Sequence, residues 1–238
     1  MDKQELRDRI WDGIEESGEA RFPFPPHGRI PNFAGADAAA ERLAERPEWM
    51  KADAIKINPD SPQRPVRKRA LEAGKTLYMA VPRLRDADCF LRLDPREIDD
   101  YDRATTLSGS SELGVQVGPD EVDSVDLIVS GSVAVTEDGA RIGKGEGYSD
   151  LEYALLDTLD LVDETTPIAT TVHESQVVDV QVAIDDHDVP LDVVVTPERT
   201  IETETPYDRS DGIDWSALDE ERIEEMPVLQ ELRDGGTF

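Results

Sequence analysis

Arg141-Ile-Gly-Lys-Gly-Glu-Gly-Tyr-Ser-Asp150 is the stretch that decides how this chain folds. Upstream lie two short apolar runs, Asp126-Leu-Ile-Val-Ser130 and Val133–Val135, and a turn at Asp138-Gly139. Downstream, residues 150–161 carry a helical pattern with Asp150 and Glu152 in its first turn. A strand, a Gly-rich loop and a helix in that order make a βα unit. Gly143, Gly145 and Gly147 allow sharp turns and close approach of the backbone to a ligand. Successive N–H groups opening a helix can cradle an anion. Arg141 and Lys144 add two positive charges. The competing reading is an ordinary Gly-rich turn. The spacing is neither that of a Walker loop nor Gly-x-Gly-x-x-Gly.

Outward from the loop, the same alternation continues. Leu6, Ile10 and Ile14 recur every four residues with Trp11 beside them, which predicts an amphipathic helix over 3–16. Pro23, Pro25 and Pro26 end it, and residues 27–35 are irregular. Residues 36–46 are Ala-rich and helical. Ala54–Ile57 is a short strand, 63–73 a helix stopped by Gly74, and Thr76–Val81 a strand closed by Pro82. Residues 86–121 are polar and turn-rich around Ser108-Gly-Ser-Ser111. Ile168–Val172 and Val193–Thr196 are strands, with Val177–Ile184 strand in part. Residues 206–238 are very acidic, with one helical segment near 216–234. This order predicts an α/β domain over 1–205 with a mainly parallel sheet, followed by an acidic tail over 206–238.

Charge narrows the function classes. The chain of 238 residues holds 54 Asp plus Glu against 25 Lys plus Arg, a net charge of −29. Such a surface repels nucleic acid and anionic membrane. Apolar runs such as Val125–Val129 demand burial, so the chain folds rather than staying disordered. Adaptation to high salt is the expectation, since a Debye length of roughly 3 Å at 1 M screens carboxylate repulsion. No apolar run of about 18 residues is present, so no segment is expected to span a membrane. The N-terminus has no apolar signal region. The lone Cys89 fits a reducing cytoplasm.

Three further candidates are weak alone. Lys3 and Arg7 lie four apart on one helical face. The run Ala183-Ile-Asp-Asp-His-Asp188 groups acids that can hold Mg²⁺ through oxygen, though an acidic loop in an acidic protein is the plainer reading. Asp60 sits in the turn Asn58-Pro-Asp-Ser-Pro-Gln63, where Asp and Pro are expected as turn formers.

In this order, from Lys3 to about Thr196, these pieces resemble the 5-formyltetrahydrofolate cyclo-ligases, also called methenyltetrahydrofolate synthetases. The resemblance rests on Lys3-Gln-Glu-Leu-Arg7, Gly74-Lys75 before Val81-Pro-Arg83, Asp126-Leu-Ile-Val129, the Arg141–Asp150 loop, and His187-Asp188 before Leu191-Asp192. It implies a three-layer α/β/α fold similar to the NagB/RpiA/CoA transferase-like group. It also implies ATP and Mg²⁺ as cofactors and 5-formyltetrahydrofolate as substrate, closed to 5,10-methenyltetrahydrofolate with release of ADP and phosphate. By position, Lys3 and Arg7 would contact ATP phosphates. Arg141, Gly143, Lys144, Gly145, Gly147 and Tyr148 would shape the nucleotide site, with Arg141 and Lys144 assisting catalysis. Asp150 and Asp188 would hold Mg²⁺. Asp60 and Tyr148 would meet the folate.

The chain departs from the usual pattern at several places. Ser149 replaces the second Tyr of Tyr-Tyr-Asp, Glu146 stands where some members carry Lys, Asp60 replaces Glu, and Gly131 stands where many have Pro. The loop is similar instead to a divergent branch, that of the methenyltetrahydrofolate synthetase domain-containing proteins. A rival reading is therefore a nucleotide-binding or regulatory module that kept the fold without the ligase chemistry. RNA association would need a concentrated basic surface, and Arg64, Arg67, Lys68 and Arg69 are read as a solvated helix face instead.

Overall fold

Side-chain alternation along five buried strands sets the architecture. The computed structural model describes residues 1–236, so the last two residues of the expected acidic tail lie outside the described residues. In chain order the strands are β1 (Ala20–Arg21), β2 (Asn32–Phe33), β3 (Ala54–Ile57), β4 (Thr76–Ala80), β5 (Phe90–Leu93), β6 (Val115–Val117), β7 (Leu127–Val129), β8 (Ala134–Val135), β9 (Arg141–Ile142), β10 (Ile168–Thr171), β11 (Val193–Val195) and β12 (Thr200–Glu202). The helices are α1 (Lys3–Glu16), α2 (Ala36–Ala44), α3 (Pro47–Lys51), α4 (Arg64–Glu72), α5 (Tyr101–Ala104), α6 (Leu107–Leu113), α7 (Tyr148–Thr158), α8 (Glu220–Glu224) and α9 (Pro227–Arg233).

Eight strands form the main sheet in the order β12-β11-β10-β7-β3-β4-β5-β6. The five from β11 to β4 run parallel. β12 and β5 join antiparallel at either side, and β6 continues antiparallel beyond β5. Each parallel strand sends alternate residues to opposite faces. Ile55, Ile57, Leu77, Met79, Leu127 and Val129 meet α2, α3 and α4 on one face. Tyr78, Ala80, Ile128 and Val194 meet α7 and the C-terminal helices on the other. Sheets buried on both faces need such continuous apolar strands. The result is the expected α/β architecture, with a helical layer on each side of the sheet. No helix among the described residues is long and apolar enough to cross a membrane.

α1 lies apart from these layers. Leu6, Ile10 and Trp11 pack against Val133, Ala134, Ile142 and Val178. The contact sets α1 beside the β8–β9 hairpin, immediately before the Gly-rich loop. Val178, Val180 and Val182 face this cluster, yet residues 177–184 form no strand. Their alternation reflects packing on α1, and their only ladder contact among the described residues is a single bridge from Val177 to Val135.

The single helix expected near 216–234 is two short helices. Pro227 takes the first turn of α9, and Met226 before it is extended at φ −123°, ψ 96°, as the residue preceding Pro must be. Ile213, Ile223, Met226, Val228 and Leu229 join the cluster containing α7. Burying each such side chain contributes about 1.5–3 kcal/mol, enough together to hold this segment on the sheet layer.

Candidate active site

The loop enters from β9 and turns through two glycines in the left-handed region, Gly145 at φ +101° and Gly147 at φ +67°. α7 begins at Tyr148, so Tyr148 and Ser149 are helical and Asp150 closes the first turn. Gly147 caps the helix without a side chain, which leaves the first-turn N–H groups open. The partial positive charge of the α7 N-terminus faces the same place. This half of the site fits a phosphate group.

Two carboxylates meet near the loop, Asp150 from its own end and Asp188 from distant sequence. Asp150 Oδ1 accepts from Arg141 Nη2 at 2.5 Å and from the Val189 N–H at 3.1 Å. Arg141 Nη1 also donates to the Gly131 carbonyl at 3.0 Å. Burial alone lowers the Arg141 pKa, but the charge and hydrogen bond of Asp150 and the nearby Asp188 raise it further, to above its ordinary value. Asp188 Oδ2 accepts from Lys3 Nζ at 2.5 Å and from the Asp185 N–H at 2.9 Å. Lys3 also reaches Asp185 at 2.8 Å. Its pKa is depressed by burial and raised more strongly by these two acids, ending above its usual value. The second oxygen of Asp150 and of Asp188 has no hydrogen bond among the described residues. Mg²⁺ needs only one or two carboxylates beside phosphate and water, so this donor set fits the ion. Ligand atoms of Asp185, His187 and Asp188 fall within 4.8 Å of one another, a group that does not include Asp150.

Lys3 and Arg7 reach the site without lining its cavity. Arg7 Nε donates to the Gly143 carbonyl at 2.8 Å, so it braces the loop backbone. Lys144 pairs with Glu146 at 2.7 Å on the rim, where both side chains are exposed. The basic run in α4 is not a solvated face throughout. Arg67 is buried and donates to the carbonyls of Asn58, Asp60 and Thr105. Lys68 is tied to Asp102 and Arg69 lies near Glu41, so no concentrated basic surface results.

A cavity of about 730 Å³ joins the loop to a second region. Its lining includes Gly143, Lys144, Gly147, Tyr148 and Asp150 from the loop and α7, together with Ile30, Asp60, Met79, Leu91 and Leu107 from elsewhere in the chain. Leu107, Ser110, Ser111 and Gln116 come from residues 86–121, whose strands and helices the polar sequence conceals. Asp60 is drawn close to Gly131, where a Cβ would lie 2.8 Å from Asp60 Oδ2. Burial raises the Asp60 pKa, against the opposing pull of Lys144 and Arg67. A carboxyl whose folded pKa is raised destabilises the fold as pH climbs from its ordinary 3.8 through the raised value. Asp60→Asn is therefore expected to raise Tm at pH 7 by roughly 2–4 °C, the equivalent of about 1 kcal/mol. The gain should shrink as pH is lowered toward 4, and a pH-independent gain would contradict this account.

The sequence did not single out the floor of the cavity. Lys56, in the middle of β3, is 1% exposed and pairs with Glu152 of α7. Its Nζ also donates to Asn58 Oδ1 at 2.9 Å, and Asn58 Nδ2 donates to Ser149 Oγ at 2.5 Å. The available signal was a Lys inside an apolar strand, with a Glu on the helix facing it.

A family model described as 5-formyltetrahydrofolate cyclo-ligase matches residues 1–197. The chain is 44% identical over 238 residues to a methenyltetrahydrofolate synthase domain-containing protein of Mus musculus, covering 98% of this chain and 64% of that protein. The protein of the same name from Bos taurus is 43% identical over 237 residues, with 98% and 62% covered. The chain thus spans less than two thirds of the length of these relatives. The NMR structure of Aquifex aeolicus 5,10-methenyltetrahydrofolate synthetase matches with a TM-score of 0.54 at 20% identity, covering 92% of this chain and 100% of that one, a likeness of fold. By the family match over most of its length and by these relatives, the chain belongs to the 5-formyltetrahydrofolate cyclo-ligase family.

Proposed function

We propose that the chain is an ATP- and Mg²⁺-dependent ligase that closes 5-formyltetrahydrofolate to 5,10-methenyltetrahydrofolate, releasing ADP and phosphate. The observation that carries this reading is one cavity uniting the phosphate loop with the half-buried Asp60 carboxylate and apolar side chains. The first-turn amides of α7 and the Lys144 ammonium would hold the triphosphate. Lys144 leaves its exposed partner Glu146 at a cost of about 0–1 kcal/mol. Asp150 and Asp188 would hold Mg²⁺, which supplies charge neutralisation as the γ-phosphoryl group moves. The formyl oxygen attacks the γ-phosphorus and ADP leaves. N10 then bonds to the activated formyl carbon, loses its proton, and phosphate departs. Arg141, fixed by Asp150 and Gly131, presents preorganised positive charge where the phosphoryl oxygens gain electrons.

In the same cavity Asp60 would accept hydrogen bonds from N–H groups of the pterin, with Met79 and Leu91 against the ring. Donors there relieve the burial cost of the carboxylate. Tyr148, which lines the cavity beside the loop, would border both ligands. We also place the protein in a reducing cytoplasm, the compartment in which a single free thiol such as that of Cys89 is ordinarily found.

The test is conversion of 5-formyltetrahydrofolate to the methenyl form, followed by absorbance in molar salt. Turnover is expected only with both ATP and Mg²⁺. Absence of turnover with both present would overturn the ligase reading. Calorimetric binding of ATP–Mg²⁺ that is indifferent to folate would then assign the chain to nucleotide-binding modules.

A further inference from the structure

We propose that Arg222, from the C-terminal segment beyond the matched family region, is a positioning residue for the nucleotide-phosphate loop. This rests on the nucleotide site proposed above. The family match ends at residue 197, and Arg222 lies in α8. Its guanidinium nevertheless meets the loop at Glu146 and Tyr148 and passes beside Gly147 between them. Nη2 donates to the Glu146 carbonyl at 2.8 Å. A Cβ on Gly147 would lie 3.6 Å from the same nitrogen. The guanidinium carbon sits 5.1 Å from the centre of the Tyr148 ring.

The segment carrying Arg222 is held firmly enough to transmit this. Asp219 caps α8 by accepting from the Arg222 N–H at 2.7 Å, and Ile223 and Met226 are buried beside it. At the far end of α7, the Gly212 and Ile213 N–H groups donate to Asp157 at 2.8 Å and Thr158 at 3.1 Å. Residues 212–222 therefore clasp α7 at both ends.

The effect on the loop follows from the planar peptide. With the Glu146 carbonyl held by Arg222, the Gly147 N–H of the same peptide points the opposite way. That orientation is the one an anion nest requires, amides inward and carbonyls outward. A carbonyl turned toward a phosphate would repel it. Lys144 does not supply this order, because its charge is paired with the Glu146 side chain. A lysine at 222 would keep the charge but lose the planar fork and the stacking on Tyr148.

The experiment compares Arg222→Ala and Arg222→Lys with Arg233→Ala, whose exposed pair with Glu220 lies in the same segment. Hydrogen exchange of amides 143–148 is measured without ligand, and ATP–Mg²⁺ affinity by calorimetry. Arg222→Ala should speed exchange at residues 146–148 and weaken ATP–Mg²⁺ by roughly tenfold, the scale of one charge-assisted hydrogen bond. KM for ATP should rise more than kcat falls, KM for folate should hold, and Arg222→Lys should recover part of the loss. If Arg222→Ala matches Arg233→Ala in both loop exchange and affinity, the proposal is overturned. Wild-type protein that binds no ATP–Mg²⁺ would sink the nucleotide reading alone, and the exchange of residues 146–148 would still decide whether Arg222 orders the loop.

Discussion

Arg141→Met is expected to lower the unfolding free energy by about 3–5 kcal/mol, the cost of leaving one member of a buried ion pair uncompensated. For a chain of this size that is a Tm drop on the order of 6–20 °C. The pair is well isolated from water, with side-chain exposures of 4% for Arg141 and 10% for Asp150. The bond from the Val189 N–H is the only hydrogen bond that the Asp150 carboxylate would keep among the described residues. Because the Arg141 pKa lies above its ordinary value, the guanidinium stays charged across neutral pH and its contribution should not fade there. Salt should matter little, since screening acts on exposed pairs far more than on buried ones. Asp150→Asn keeps an acceptor for Val189 but strands Arg141, so a loss of similar size is expected. The two variants should part in ligand binding. Asp150→Asn should weaken ATP–Mg²⁺ more than metal-free ATP, whereas Arg141→Met should weaken both. Urea titration and calorimetry read these outcomes, and an Arg141→Met protein within about 0.5 kcal/mol of wild type would refute the buried-pair account.

The parts legible in the sequence are those where period and burial coincide. α1 was readable because one apolar stripe faces one cluster. β3, β4, β7, β10 and β11 were readable because strands buried on both faces are largely apolar. β5, β6 and β12 escaped because these strands at and next to the sheet edges carry polar residues such as Arg92, Gln116 and Glu202 and lie antiparallel in a sheet expected to be mainly parallel. The loop was legible as a phosphate cradle from its glycines and its place before a helix. The local pairing of Arg141 with Asp150 was within reach of sequence, but that of Asp188 with Lys3 depends on residues 185 positions apart. Arg222 was invisible for a related reason: only the packing of Ile223 and Met226 carries it to the loop.

Lys56→Met gives the second large effect, and its reversal is the sharper test. Lys56 and Glu152 are nearly dry, and removing the ammonium leaves Glu152 as a buried carboxylate without its cation. The loss should again be about 3–5 kcal/mol. Replacing both, as Lys56→Met with Glu152→Leu, removes the stranded charge and should return stability to within about 1 kcal/mol of wild type or above it, since apolar pairs commonly match buried ion pairs. Function should not return with it. Lys56 also holds Asn58, which holds Ser149 in the first turn of α7 between Tyr148 and Asp150. Glu152 and Lys56 further act in opposite senses on the Asp60 pKa, so the double variant leaves that carboxyl under the influence of burial, Lys144 and Arg67. A stable double variant with depressed turnover, and with KM for folate raised more than KM for ATP, would show that the pair serves the cavity floor rather than the fold. A stable double variant with wild-type kinetics would show that Lys56 and Glu152 are no more than packing.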